Sequence, residues 1–306
     1  MAHRAARKPV TVRTRRLRLI ALSGVISGAL ALLAAYPFQP ALAFKQGDMP
    51  DFVVSCPFTH RLADDPIVHP GQPGASHLHD FFGNKSTDAS STYASMLAAG
   101  TTCARVGDTA GYWMPTVYQG GAVVKPLKAT VYYRDMAPDP ASVHSFPADF
   151  RMVAGNHDAT SPQRPLLVGW ACRHASDGLK GRWTSDVPTC RANENLVFRV
   201  RFPDCWNGRD LDTPDHMSHV TYSKNGICPA RFPVAVPRVS MTVAYASTGG
   251  PGVTLSSGSA LTGHADFWNT WNQPALDHLV VTCLRAGIHC GFGTAARPQP
   301  AEPIDN

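Results

Sequence analysis

The chain has 306 residues, 44% of them hydrophobic and 16% charged, with a formal net charge of +6. Residues 1–43 hold Arg4, Arg7, Lys8, Arg13, Arg15, Arg16 and Arg18 and no acidic residue, so the remainder stands at −1. The basic balance belongs to the leader, which removes the electrostatic footing for a nucleic-acid-binding function.

The leader reads as an export signal. A basic segment precedes an apolar run from Leu19 to Ala35, and Ala41-Leu42-Ala43 fits a signal-peptidase site, giving a mature chain that starts at Phe44. Arg15-Arg16 also fits a twin-arginine signal, and an uncleaved N-terminal anchor is the alternative to cleavage. Cleavage leaves no stable membrane span. All eight cysteines follow the leader. An even count in an exported chain implies disulfides, and pairing of sequence neighbours predicts Cys56–Cys103, Cys172–Cys190, Cys205–Cys228 and Cys283–Cys290. The chain holds no C-x-x-C, so a zinc ribbon or a thioredoxin-like centre is not expected.

In chain order, Asp51–Cys56 reads as a strand. Residues 65–84, DPIVHPGQPGASHLHDFFGN, form a loop punctuated by Pro70, Gly71, Pro73 and Gly74. Its Ser76–Asp80 segment, if extended, puts His77 and His79 on one face. Ser90–Ala99 is the best helix, capped by Ser90 or Ser91 and stopped by Gly100. Short β-branched and aromatic runs follow at 111–118, 123–124, 128–134, 145–155, 166–172 and 195–202, separated by Gly and Pro. The polar stretch 202–219 precedes further runs at 219–222, 232–237 and 238–245. Residues 264–271 lead into a short helix over 274–285, and the tail 294–306 is predicted to be disordered. Many short strands, few helices and 26 prolines predict a mainly β, single-domain, two-sheet sandwich of jelly-roll type over residues 44–293.

Several motifs in order resemble a known family. They are D-P-I-V-x-P-G with S-x-H-x-H (Asp65 to His79), Y-W-x-P (Tyr112 to Pro115) and V-Y-Y-R (Val131 to Arg134). F-P-D-C-W-N-G-R-D-L-D-T-P-D-H-x-S-H-V (Phe202 to Val220), C-P-x-x-x-P-V-x-x-P (Cys228 to Pro237) and A-D-F-W-N-x-W (Ala265 to Trp271) continue the set. Together they resemble DUF1996, a family of secreted fungal and actinobacterial proteins, over roughly residues 52 to 290. Some fungal members carry carbohydrate-binding WSC modules, so the resemblance implies a cell-wall or polysaccharide setting. It assigns no reaction and no catalytic residue.

Two polar stretches carry chemistry. If 65–84 and 202–220 meet, His77, His79, His216 and His219 form a candidate metal set for a divalent ion, zinc or copper. Without a metal, Asp215, His216 and Asp80 are the candidate acid–base groups for glycoside or ester hydrolysis. Trp206, Asp210 and Asp212 are candidate ligand-binding residues, with Trp206 as the sugar-facing ring. The bland reading is that these groups brace long loops. A copper oxygenase built on an N-terminal histidine does not fit a chain starting at Phe44. The function expected is a secreted monomer that acts on, or binds, extracellular or cell-wall polysaccharide. The alternative is a non-catalytic carbohydrate-binding or structural envelope protein.

Overall fold

The computed structural model describes residues 49–173 and 182–292, which lie in one unit, Ala41–Asn306. The leader, the Phe44 terminus and the tail 294–306 fall outside the described residues. The first strands are β1 (Asp51–Leu62), β2 (His79–Gly83), β3 (Gly111–Pro115), β4 (Val117–Gln119), β5 (Ala122–Val123) and β6 (Pro126–Arg134). Next come β7 (Arg151–Gly155), β8 (Val168–Arg173), β9 (Asn195–Arg201), β10 (Cys205–Trp206), β11 (Val220–Thr221) and β12 (Val234–Ala235). The last are β13 (Arg238–Tyr245), β14 (Val253–Leu255), β15 (Gly258–Ser259) and β16 (His264–Trp268). Helix α1 spans Tyr93–Ala98, and α2 (Gln273–Leu279) runs into a π turn over Val280–Leu284. No helix among the described residues is long and apolar enough to cross a membrane.

Nine strands make one sheet in the order β7-β16-β3-β2-β1-β6-β13-β9-β8, and every pairing in it is antiparallel. β1 is its hinge. Asp51–Pro57 pair with β6, whereas Phe58, Arg61 and Leu62 pair with β2, with a register shift between Phe58 and Arg61. A bulge bends a strand and increases its twist. The sheet therefore folds about β1 into two halves whose apolar faces meet, which realises the expected two-layer arrangement.

Alternation decides which side chains go inside. Phe82, Tyr112, Met152, Ala265 and Phe267 from one half meet Val131, Tyr133, Phe198, Met241 and Val243 from the other in the main core. Phe267 sits at its centre, with ring centroids 5.6 Å from Tyr112, 6.4 Å from Tyr133 and 6.2 Å from Phe202. Truncating such a ring to alanine costs about 3–5 kcal/mol, the transfer term plus the cavity. The residues between these inward positions form two outer faces, one on each half.

The expected disulfides are all present: Cys56–Cys103, Cys172–Cys190, Cys205–Cys228 and Cys283–Cys290. Some element bounds differ from expectation for local reasons. α1 starts at Tyr93, because Thr92 and Ser95 form a reciprocal capping box, while Ser91 bonds back to Ser86 and Asp88. The run from Ser145 becomes strand only at Arg151, since Pro147 and a positive φ of 67° at Asp149 interrupt it. Residues 264–268, expected only to lead into a helix, form β16, paired between β3 and β7.

Candidate metal centre

β2 and β16 supply the site. His79 and Phe81 point to the outer face of β2; His264, Asp266 and Trp268 do the same on β16, as Trp113 does on β3. A small second core of Ile67, Phe81, Met96, Trp113, Val153 and Trp268 lies on this outer face. It holds the loop that connects β1 to β2 against the sheet. That loop is tied down by two aspartates. Asp64 accepts from the Gly74 and Ala89 amides, at 2.8 and 3.0 Å, and Asp65 accepts from Ile67 and Val68, at 2.9 and 3.0 Å.

The braced loop brings His77 over His79 and His264. Their ligand atoms lie within 4.8 Å of one another. His77 Nε2 is 3.1 Å from His264 Nε2, and His79 Nε2 is 3.5 Å from it. Four nitrogens bound tetrahedrally at ~2.1 Å would stand ~3.4 Å apart, so the observed spacing is that of ligands sharing one ion.

The tautomers sharpen this. His79 Nδ1 donates to the Asp64 carbonyl at 2.9 Å, and His264 Nδ1 donates to the Thr262 carbonyl at 2.9 Å. A carbonyl can only accept, so each of these rings carries its proton on Nδ1 and turns an Nε2 lone pair toward the other. Metal-ligating histidines are oriented by such second hydrogen bonds. Burial keeps all three rings neutral. It takes His77 down to about 4 and His264 to about 3, with repulsion from His157 in both cases, and it holds His79 well below the ordinary histidine value. His77 can donate from Nε2 to the His264 lone pair at 3.1 Å, and a cation would satisfy all three Nε2 atoms at once.

Two carboxylates adjoin the histidines. Asp65, His79 and Asp266 form a second group with ligand atoms within 4.8 Å. Asp266 is fully buried, and neither carboxylate oxygen has a hydrogen-bond partner. Burial and then Asp65 hold it well above the ordinary carboxylate value. Leaving such a group unpaired is costly unless a cation compensates it. The site reaches solvent on the side of His77, which is half-buried, and of His157, which is exposed and has its ring centroid 5.9 Å from that of His264. The groove lined by Phe58, His60, Leu62, Lys85, Thr87 and Thr102 includes none of these ligands.

The other residues singled out from the sequence have different surroundings. Neither His216 nor His219 belongs to a group with metal-ligand spacing among the described residues. Both His219 nitrogens are taken up by protein oxygens: Nε2 donates to Arg151 O at 2.7 Å and Nδ1 lies 3.0 Å from Thr213 Oγ1. Its ring packs on Phe150, with centroids 5.2 Å apart. His216 Nδ1 is 2.9 Å from Asp212 Oδ1, an interaction that raises its pKa, to which Asp65 adds a smaller push. Asp215 is held far below the usual carboxylate range by Ser218, Thr213 and the Met217 amide. Asp210 pairs with Arg209 and accepts from Asn207, and the Trp206 indole donates to Asp210 O at 2.7 Å. The stretch seals the free edge of β7 through Arg151 N to Leu211 O and Val153 N to His216 O. Asp80 faces the opposite side of β2 from His79, bonded to Arg61 at 2.6 Å and Thr116 at 3.0 Å.

His77 and His79 share a group with metal-ligand spacing, and its third member is His264 of β16 rather than a residue of the 202–220 stretch. His264 and Asp266 were missed. The signal that could have found them is the alternation His264-Ala-Asp266-Phe-Trp268, in which polar groups recur every second residue of an extended segment. No curated protein and no solved structure matches the chain. The family model described as a domain of unknown function (DUF1996) matches residues 65–271, and the chain belongs to that family.

Proposed function

We propose that the chain is an exported, metal-dependent hydrolase acting on extracellular or cell-wall polysaccharide. The observation that carries this reading is the pair of inward-facing Nε2 lone pairs on His79 and His264, with His77 Nε2 3.1 Å from His264. His77, His79 and His264 would hold the ion, zinc or copper, and Asp266 or Asp65 would add a carboxylate oxygen. Such an ion supplies a Lewis acid and lowers the pKa of water in an open coordination position.

The chain's own groups have matching tasks. Asp64 and Thr262 orient the rings, and Asp266 holds or releases a proton at a buried carboxylate. His69, half-buried in the loop, and exposed His157 lie near His77. The four disulfides suit an oxidising compartment, which supports export with residues 1–43 as the leader. Among the described residues no tryptophan is exposed: Trp113, Trp170, Trp268 and Trp271 are buried, and Trp183 and Trp206 half-buried. Convergent groups without a flat aromatic face favour turnover over adsorption to a polymer surface. Purified protein assayed against a polysaccharide panel should release reducing ends, and chelator or His264→Ala should abolish the release. Binding without release in every case would make it a carbohydrate-binding protein instead.

A further inference from the structure

The loop from β7 to β8 carries one more histidine to the centre. Gly155 ends β7 directly opposite His264. Its φ is 91°, and a Cβ there would collide with the Gly263 carbonyl and His264 Cα. Glycine therefore lets the chain leave β7 flush against the backbone that presents His264. His157 follows two residues later.

Gln163 fixes this loop to the same backbone. Its Nε2 donates to Leu261 O and Gly263 O, both at 2.8 Å, and to Asn156 O at 3.3 Å. Its Oε1 accepts from Asn156 N at 3.1 Å. Asn156 Oδ1 in turn accepts from Asp158 N at 2.9 Å, which closes a tight turn around His157. One side chain thus ties the base of the His157 turn to the residues that precede His264. The His157 side chain itself is 58% exposed.

The ring spacing is that of a ligand. An imidazole bound through nitrogen at ~2.1 Å has its centroid ~3.2 Å from the ion, so tetrahedral neighbours stand ~5.2 Å apart, centroid to centroid. The three rings of the cluster are separated by 4.3, 4.9 and 5.7 Å. His157 stands 5.9 Å from His264, close to the 5.7 Å between His79 and His264, whose nitrogens face each other. Its repulsion reaches His77 as well as His264. In this structure its Nε2 is turned to Asp158 Oδ2, at 3.0 Å, so it does not share the close spacing of the other three. Asp158 is 81% exposed. An exposed ion pair contributes about 0–1 kcal/mol, so little holds the ring away from an ion.

We propose that His157 is an exchangeable fourth protein ligand, which closes the solvent side of the His77–His79–His264 centre until substrate or water displaces it. The inference rests on the metal reading given above. Three histidines leave an ion with a coordination position open. Here an arm fixed at its base and loose at its tip covers that position. The exchange changes one donor only: an oxygen of water or substrate takes the place that the His157 nitrogen leaves, and the ion keeps its oxidation state.

The test uses copper(II) as the probe and the full chain as wild type, His157→Ala and the exposed control His144→Ala. Pulsed electron paramagnetic resonance counts the imidazoles bound to copper. It should find four in wild type and in the control and three in His157→Ala, whose copper affinity should fall at least about tenfold. Free imidazole should restore the fourth signal to His157→Ala. The metal-free proteins should melt alike, because the ring that is removed stands in solvent. Three imidazoles in wild type, or equal copper affinity in wild type and His157→Ala, would overturn the arm and leave the metal reading standing. Folded wild type that takes up no copper would overturn the metal reading, and the arm with it.

Discussion

The loop between β1 and β2 and the loop from Asp204 to His219 look alike in sequence, each dense in histidine and aspartate. In the structure they behave as opposites. In the second, the polar groups answer one another: Asp215 with Ser218 and Thr213, Asp212 with His216, His219 with Arg151 O. In the first, Asp64 and Asp65 secure the backbone, and beside the rings Asp266 keeps two buried carboxylate oxygens that no protein donor meets. Polar density alone does not separate a brace from a site. The unmet buried atom does, because folding alone gives no reason to keep it.

The comparison can be broken first at the disulfide. Cys205→Ser with Cys228→Ser removes a bridge closing 23 residues of sequence, and should cost about 2–4 kcal/mol in urea unfolding while metal content per folded chain stays unchanged. Loss of metal from folded double variant would move the Asp204–His219 loop into the site. Next in size is His219→Ala. It leaves the Arg151 carbonyl without its donor and a gap against Phe150, and should destabilise by about 1–3 kcal/mol, again without touching metal content.

The smallest effect concerns His216. Its folded pKa lies above the ordinary 6.5, chiefly through the Asp212 hydrogen bond. The pair's contribution is therefore fully present below about pH 6.5 and is lost as pH rises through the raised folded value. Wild type should lose up to about 1 kcal/mol of stability over that window, and Asp212→Asn should flatten the loss. Parallel pH curves for the two proteins would show that the pair contributes nothing.

Much of this was legible in the sequence. Alternation placed Asn195–Phe202 and Arg238–Tyr245 as strands, and pairing of neighbouring cysteines gave all four bridges, since each joins segments the chain brings back quickly. His77 and His79 stood out because S-x-H-x-H needs only local geometry to share a face. His264 did not, because it lies 187 residues from His77 and meets it only once β16 inserts between β3 and β7. Strand insertion is a long-range choice that no local period encodes.

The most direct test of the central claim is the metal content of the full chain, purified without chelator and then titrated with zinc and with copper. Wild type should bind one equivalent of a divalent ion at the cluster, with affinity reduced at least about 100-fold by His79→Ala or His264→Ala and unaffected by His219→Ala. Folded wild-type protein that takes up no ion, or binds it as tightly after His264→Ala, would contradict the account.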